Sequence, residues 1–178
     1  MLAMLRVPGR PFRLLSFPRR TLVTVLVVLA FSISLAACST GQPAADFALK
    51  TFAGEEFRLS EQRGQAVVIN FWYPSCPPCR DEMPAFQEVW EEYQGRDVRF
   101  IGLFVPQGFD TEVEARQFVD EFGLTFDFAT DVRARVAQEY AVQYFPTTYF
   151  IDQGGRIHKM EISRMDVDTL TEILDDLL

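Results

Sequence analysis

Two cysteines stand between an apolar run and a segment with helical periodicity. The Cys-Pro-Pro-Cys motif, Cys76–Cys79, follows the β-branched run Val67–Phe71 and leads into a stretch to Tyr93 whose apolar residues recur at helical spacing. The thiols therefore lie where a strand passes into a helix N terminus. Unpaired N–H groups and the positive end of the helix dipole stabilise a thiolate at such a place. The order strand, dithiol, helix constrains the fold and predicts a reactive cysteine pair.

The rest of the chain alternates short apolar strands with amphipathic helices. The run at 67–71 predicts a central strand that is covered on both faces. Around it we expect an N-terminal hairpin, further strands and helices, and a late strand hairpin before a closing helix. The expected segments are 46–49, 55–59, 98–105, 112–122, 126–129, 131–140, 147–151, 156–162 and 166–178. This pattern predicts an α/β fold, with a mixed central β-sheet flanked by helices.

The N-terminal segment has the pattern of an export signal. Residues 1–37 contain five arginines and no acidic residue, and they end in an uncharged apolar run. Leu35–Cys38 resembles the lipobox of bacterial lipoproteins, which implies a signal peptide over 1–37 and a lipid-bearing Cys38. An uncleaved anchor helix is the alternative. Either reading predicts an extracytoplasmic, membrane-anchored protein, with residues 38–45 as a linker and 46–178 as its domain.

The exported part is strongly acidic. It contains all 25 acidic residues and 12 of the 17 basic ones, which gives a formal charge of -13. This charge argues against nucleic acid as a partner and against direct adsorption to anionic lipid. With Cys38 assigned to the lipid, the other two of the three cysteines form the motif and no thiol is left over.

Several motifs together resemble the membrane-anchored thioredoxin-like reductases of the TlpA/ResA type. They agree with that family in order and spacing, and they are Asn70-Phe71-Trp72, the Cys-Pro-Pro-Cys motif, Glu82-Met83-Pro84 and Phe145-Pro146-Thr147-Thr148. The resemblance covers 46–178. It implies a thioredoxin fold with an added N-terminal β-hairpin and a helix and strand insertion over 112–128. The implied activity is thiol–disulfide exchange on exported proteins, commonly apocytochrome c during cytochrome c maturation.

Roles for the site residues follow from the motif and the resemblance. Cys76 is expected to be exposed and to act as the nucleophile, and Cys79 is expected to resolve the mixed disulfide, so that the two alternate between dithiol and disulfide. Glu82, one helical turn after Cys79, is expected to handle the proton of the resolving thiol. The alternative is that Glu82 is only an acidic residue near the helix N terminus, where the helix dipole stabilises its charge.

The substrate groove is expected to involve Trp72, Phe145, Pro146 and Thr147. The Pro-Thr-Thr match implies a cis peptide bond before Pro146, next to the cysteines, although an X-Pro bond is ordinarily trans. Trp72 could equally be an ordinary core aromatic. His158 is the only histidine, and its neighbours make it a sheet residue rather than a catalyst.

The expected partners are exported proteins with disulfides and a membrane thiol donor of the DsbD or CcdA kind. The protein is expected to be monomeric and to need no cofactor or metal.

The residues between the cysteines favour a reducing role. Pro77 and Pro78 remove two N–H donors near the Cys76 sulfur, and no histidine is present to stabilise a thiolate. Strong oxidants have a stabilised reduced form, so a reducing potential is expected here.

Two departures from the family pattern alter the rim of the groove. Ser75 replaces the usual tryptophan before the first cysteine, and Tyr144-Phe145 replaces a small and an aliphatic residue before the proline.

Three alternatives to a disulfide reductase are considered. They are a thiol peroxidase with antioxidant activity, a Cu(I)-binding chaperone, and a cysteine pair that forms an inert disulfide or half of a zinc site. The Pro-x-x-x-Thr-x-x-Cys motif of thiol peroxidases is missing, because Pro74 is only two residues before Cys76. The scarcity of methionine and histidine near the pair argues against the Cu(I) chaperone.

Overall fold

The computed structural model describes residues 41–178, and the strands and helices follow the predicted order. The strands are β1 (Ala48–Lys50), β2 (Glu56–Arg58), β3 (Ala66–Trp72), β4 (Val98–Phe104), β5 (Asp127–Thr130), β6 (Thr147–Ile151) and β7 (Ile157–Glu161). The helices are α1 (Pro77–Tyr93), α2 (Glu112–Glu121), α3 (Arg135–Glu139) and α4 (Val167–Leu177). Short 3-10 turns lie at Leu59–Gln62 and Val132–Ala134.

Five strands form one mixed sheet in the order β5-β4-β3-β6-β7. β3 is central and runs parallel to β4, which in turn runs parallel to β5. On its other side β3 pairs antiparallel with β6, and β6 pairs antiparallel with β7. β1 and β2 form a separate antiparallel hairpin. The predicted α/β class, mixed sheet, N-terminal hairpin and inserted helix and strand are confirmed.

The central strand is buried on both faces, as its uninterrupted apolar run predicts. Val68 and Trp72 face the cluster formed with α1, α2 and α4. Val67, Ile69 and Phe71 face the opposite cluster, which includes the hairpin and α3. Because the side chains alternate, Asn70 points to the α1 side, where a polar residue needs a polar partner.

The helix after β5 starts later than its sequence pattern predicts. Residues 132–134 form a 3-10 turn, and Arg133 and Ala134 have positive φ. The α-helix begins only at Arg135. Asp131 still caps it, because its buried carboxylate accepts hydrogen bonds from the N–H groups of Val136 and Ala137 at 3.0 and 2.8 Å.

Part of the segment predicted as a linker pairs with the sheet. Pro43 forms a bridge with Arg156, Ile157 N–H donates to the carbonyl of Gln42, and Ala44 N–H donates to that of Gly155. The described part of the predicted linker therefore extends the β7 edge of the sheet, because its backbone groups complete those of the β6–β7 turn.

No helix between residues 41 and 178 combines the length and apolar character needed to cross a bilayer. The predicted signal peptide at 1–37 and the lipid-bearing Cys38 lie outside the described residues.

Candidate active site

The two cysteines form a disulfide at the start of α1. Cys76 is the N-cap residue and Cys79 lies in the first turn, with the Cα atoms 5.3 Å apart. Pro77 and Pro78 occupy the first two helical positions, where a missing N–H costs no helical hydrogen bond. The Cys76 sulfur accepts a hydrogen bond from Cys79 N–H at 3.2 Å. The prolines leave that N–H as the first donor of the turn.

The expectation that Cys76 is exposed is wrong for this disulfide state. The residue is only 1% exposed and Cys79 is fully buried. Both belong to the core cluster on the α1 side of the sheet, and the half-buried rings of Tyr73 and Phe145 pack against this cluster.

The loop before β6 forms the neighbouring part of the site. The Phe145–Pro146 peptide bond is cis, as the sequence match predicts. Pro146 is buried, and the Phe145 ring meets Tyr73 edge to face with centroids 5.2 Å apart. Thr147 is buried too, and its hydroxyl donates to the carbonyl of Tyr144 at 2.7 Å. The Thr147 side chain therefore holds the loop in place.

A buried carboxyl lies one turn further along α1. Glu82 has no exposed surface, and its two oxygens accept hydrogen bonds from different parts of the chain. Asn70 Nδ2 donates to Oε1 at 2.8 Å, and Met165 N–H donates to Oε2 at 3.2 Å. Asn70 Nδ2 also donates to Thr148 Oγ1 at 3.0 Å. The central strand, β6 and the loop before α4 thus converge on this carboxyl.

Burial raises the pKa of Glu82 from 4.5 to about 8, because the charged form loses its hydration. The hydrogen bonds from Asn70 and Met165 lower it in part. A pKa near neutral suits a group that gives and takes a proton under physiological conditions. Glu82 is not in the first turn of α1, which contains no acidic residue, so the alternative of an acid stabilised by the helix dipole is not favoured.

Trp72 lies in the core and not in the substrate groove. It is 0% exposed and packs between Phe104, Phe118 and Phe128 at ring-centroid distances of 4.8 to 6.0 Å. The side chain faces α2 because Trp72 alternates with Phe71 along β3. It offers no surface to a substrate in this state, which favours the core interpretation.

Two further residues border the cysteines and were not assigned a site role from the sequence. Ser75 is exposed, and its hydroxyl donates to Asp110 Oδ2 at 2.7 Å. The departure at Ser75 was visible in the sequence, but no motif marks Asp110 as its partner.

His158 lies away from the cysteines. It is on the edge strand β7, as predicted, and its Nε2 atom is 3.2 Å from Oδ2 of Asp176.

A cysteine pair at a helix N terminus, with a buried glutamate three residues further along that helix and a cis-proline loop that contacts the preceding turn through Phe145 and Tyr73, is an arrangement for thiol–disulfide exchange. On this mixed sheet with its hairpins it defines a thioredoxin-fold oxidoreductase. The sulfurs carry the two electrons, so the class needs no further redox group.

The comparisons with known proteins agree with this class. The model of the AhpC/TSA family matches residues 40–160. The thiol-disulfide oxidoreductase ResA of Geobacillus thermodenitrificans is 30% identical over 89% of this chain and 94% of its own. The thioredoxin-like protein YneN of Bacillus subtilis is 34% identical over 76% of this chain and 78% of its own. The chain therefore belongs to the AhpC/TSA family, among its ResA-like thiol-disulfide oxidoreductases.

Solved structures show the same fold. The crystal structure of a putative thiol:disulfide interchange protein DsbE from Chlorobium tepidum has a TM-score of 0.69 and 25% identity, and covers 78% of this chain and 97% of that one. StoA from Bacillus subtilis has a TM-score of 0.66 and 27% identity, and covers 72% of this chain and 96% of its own.

Proposed function

We propose that this protein is an extracytoplasmic, lipid-anchored disulfide reductase for exported proteins. The observation that carries the proposal is the Cys76–Cys79 disulfide at the N terminus of α1, with the protonatable Glu82 three residues after Cys79 on the same helix. Thiol exchange needs a reactive sulfur, a resolving sulfur and a proton acceptor, and these residues supply all three.

The reductive half-reaction transfers two electrons to the substrate. The Cys76 thiolate attacks one sulfur of a substrate disulfide, which forms a mixed disulfide and releases the other sulfur as a thiolate. Cys79 then loses its proton and attacks the Cys76 sulfur. This step forms the Cys76–Cys79 disulfide and releases the second substrate thiolate. A dithiol donor reverses both steps on the enzyme and becomes oxidised itself.

Glu82 is the proposed acceptor of the Cys79 proton. It follows Cys79 by three residues on α1, so both side chains lie on the same side of the helix. A carboxyl with a pKa of about 8 is close to half ionised at slightly alkaline pH, and can both accept a proton and return it. Asn70 and the Met165 N–H hold the carboxyl in place during the transfer.

Binding of an extended substrate segment is assigned to the loop at Pro146. The backbone of Phe145 beside the cis bond would pair with the segment as an added strand. Phe145 and Tyr73 would then contact the residues that flank the substrate cysteine.

The proposed direction is reduction. Pro77 and Pro78 supply no N–H groups to the Cys76 sulfur, so the thiolate gains little stabilisation beyond the helix dipole and the Cys79 N–H. Strong oxidants have a stabilised reduced form, which this first turn does not provide.

The arginine-rich segment before Cys38 supports export. A membrane dithiol donor of the DsbD or CcdA kind would recharge the protein, and apocytochrome c before haem attachment is the proposed substrate.

Reduction of insulin disulfides by the full-length protein tests the proposal. Cys76→Ser should abolish turnover, because no thiolate is left to attack the substrate. Cys79→Ser should accumulate mixed disulfides that non-reducing gels detect, because the second step cannot proceed. Normal turnover by Cys76→Ser would sink the mechanism. Hydrogen peroxide consumption without a disulfide substrate would instead identify a thiol peroxidase.

A further inference from the structure

A groove borders the cysteines on the side of the loop between β4 and α2. The part of its lining that matters here comes from the turn before α1, from that loop and from the first turn of α2, and consists of Tyr73, Ser75, Gln107, Phe109, Asp110 and Glu114. The Ser75–Asp110 hydrogen bond fastens the loop directly before Cys76. The groove therefore runs along the turn that carries the proposed nucleophile.

The groove is continuous with the loop that holds the cis-proline. Tyr73 lines the groove and also meets the ring of Phe145, the residue before Pro146. The carbonyl of Tyr73 accepts a hydrogen bond from Cys76 N–H at 3.2 Å. A chain segment that lies against Pro146 can therefore continue past Cys76 into the groove.

Phe109 stands at the outer wall of this groove. The residue is 99% exposed, the highest value among the large exposed apolar residues of the described chain. It is held out by a turn in which Asp110 N–H donates to the carbonyl of Gln107 and Gly108 has a φ of 55°. Glycine adopts this φ without strain. The turn therefore presents the ring to a ligand and does not return it to the core.

The polar part of the groove carries negative charge. Asp110 and Glu114 line it, and among the lining residues in the described part of the chain there is no lysine or arginine. Hydrogen bonds from Thr111 lower the pKa of Glu114 and keep its carboxylate ionised. A groove lined by an apolar ring and two acidic side chains complements a segment that carries both an apolar and a basic side chain.

We propose that this groove selects substrate proteins by the residues that flank the reacting cysteine. The preferred occupant is an extended polypeptide segment with a large apolar side chain next to its cysteine, packed on Phe109, and a lysine or arginine nearby, facing Asp110 and Glu114. The proposal rests on the proposed function, because the occupant is the substrate of that exchange. Phe109 and Asp110 are specificity-determining residues, and the chemistry stays with the sulfurs.

Mixed disulfides of short peptides with thionitrobenzoate test the proposal on the reduced full-length protein. Attack of Cys76 on the peptide sulfur releases coloured thionitrobenzoate, and Cys79 then releases the peptide thiol, so the colour reports the first step. In each peptide the residue next to the cysteine is phenylalanine or glycine, and the residue after that is lysine or glutamate. The two residues are N-terminal to the cysteine in one set of peptides and C-terminal to it in the other. Each rate is divided by the rate for the mixed disulfide of 2-mercaptoethanol, which has no flanking residues.

We expect the wild-type ratio for the phenylalanine and lysine peptide to exceed that for the glycine and glutamate peptide about tenfold or more. Phe109→Ala should remove most of the phenylalanine preference and keep the lysine preference. Asp110→Asn keeps an oxygen that accepts from Ser75 but removes the charge, so it should lower the lysine preference about threefold. The lysine preference should also shrink as the salt concentration rises.

Two matched variants control for general effects. Leu178→Ala also truncates an exposed apolar side chain, and Asp97→Asn also removes a surface charge. Both positions lie far from the cysteines. Leu178 is three residues after Asp175, which contacts Tyr93 at the C-terminal end of α1. Asp97 directly precedes β4, at the end of the parallel strands opposite to the cysteines. Both variants should keep the wild-type preferences.

Equal ratios for all peptides in the wild type, or unchanged preferences in Phe109→Ala and Asp110→Asn, would overturn the groove proposal. That result leaves insulin reduction and its loss in Cys76→Ser intact. Failure of the proposed function looks different, because Cys76→Ser would then reduce insulin as fast as the wild type.

Discussion

Replacing Glu82 with glutamine should change how stability depends on pH. Burial raises the pKa of Glu82 to about 8 in the folded protein, against 4.5 when the group is in water. Between these values the folded state binds the proton and the unfolded state does not. The contribution of this group to stability is therefore fully present below pH 4.5 and is lost as the pH rises through 8.

The size of the effect follows from the two pKa values. At about 1.4 kcal/mol per pH unit, the wild type loses about 5 kcal/mol over the whole titration and about 3 to 4 kcal/mol between pH 5 and pH 8. Glutamine fits the same space. Its oxygen can accept from Met165 N–H, and its amide can donate to Asn70 Oδ1 when the Asn70 amide turns over, since Nδ2 faces Glu82 in the wild type. Glutamine does not titrate, so the variant lacks this loss.

Urea unfolding of the oxidised proteins at pH 5, 6, 7 and 8 measures the difference. The disulfide form is used because Cys76 and Cys79 do not titrate in it. Groups common to both proteins cancel, so the free energy of unfolding of Glu82→Gln should gain about 3 to 4 kcal/mol on that of the wild type across the series. Glu88→Gln, an exposed position on the same helix, is the control and should parallel the wild type. Parallel curves for Glu82→Gln as well would refute the raised pKa.

Two further predictions concern the N-terminal cysteine and the buried Asp131. Cells that express the full-length protein should incorporate labelled palmitate into it, and Cys38→Ser should lose the label; a labelled Cys38→Ser protein would contradict the lipid anchor. Asp131→Ala leaves the buried N–H groups of Val136 and Ala137 without their acceptor, and should lower the free energy of unfolding by about 2 to 4 kcal/mol in urea titrations. Asp131→Asn keeps one oxygen and should cost about half as much, whereas equal stability of all three proteins would show that the cap is unimportant.

The sequence predicts the elements of this fold well because each is specified by its own periodicity. The run at 67–71 has no polar face, so only a strand covered on both sides can bury it, and Ala66–Trp72 is that strand. The position of Glu82 relative to Cys79 also follows from local spacing, since three residues make nearly one helical turn.

Contacts between distant segments could not be predicted in this way. The N–H group that meets Glu82 comes from Met165, 83 residues later, and the partner of Ser75 lies 35 residues later. Periodicity gives the face on which a side chain lies, but not which loop closes over that face. The burial of Cys76 was missed for the same reason, since the rings of Tyr73 and Phe145 that pack against its cluster belong to separate loops.

The burial of Cys76 connects access to the disulfide with recognition of the substrate. Exchange requires an incoming sulfur to approach the disulfide directly. In the oxidised protein Cys76 is only 1% exposed, so side chains above it must move before a donor thiolate can reach it. Tyr73 packs against the cluster that contains the cysteines, meets Phe145 beside Pro146, and lines the groove with Phe109. A partner that fills the groove therefore contacts a ring that packs against the cluster containing the disulfide.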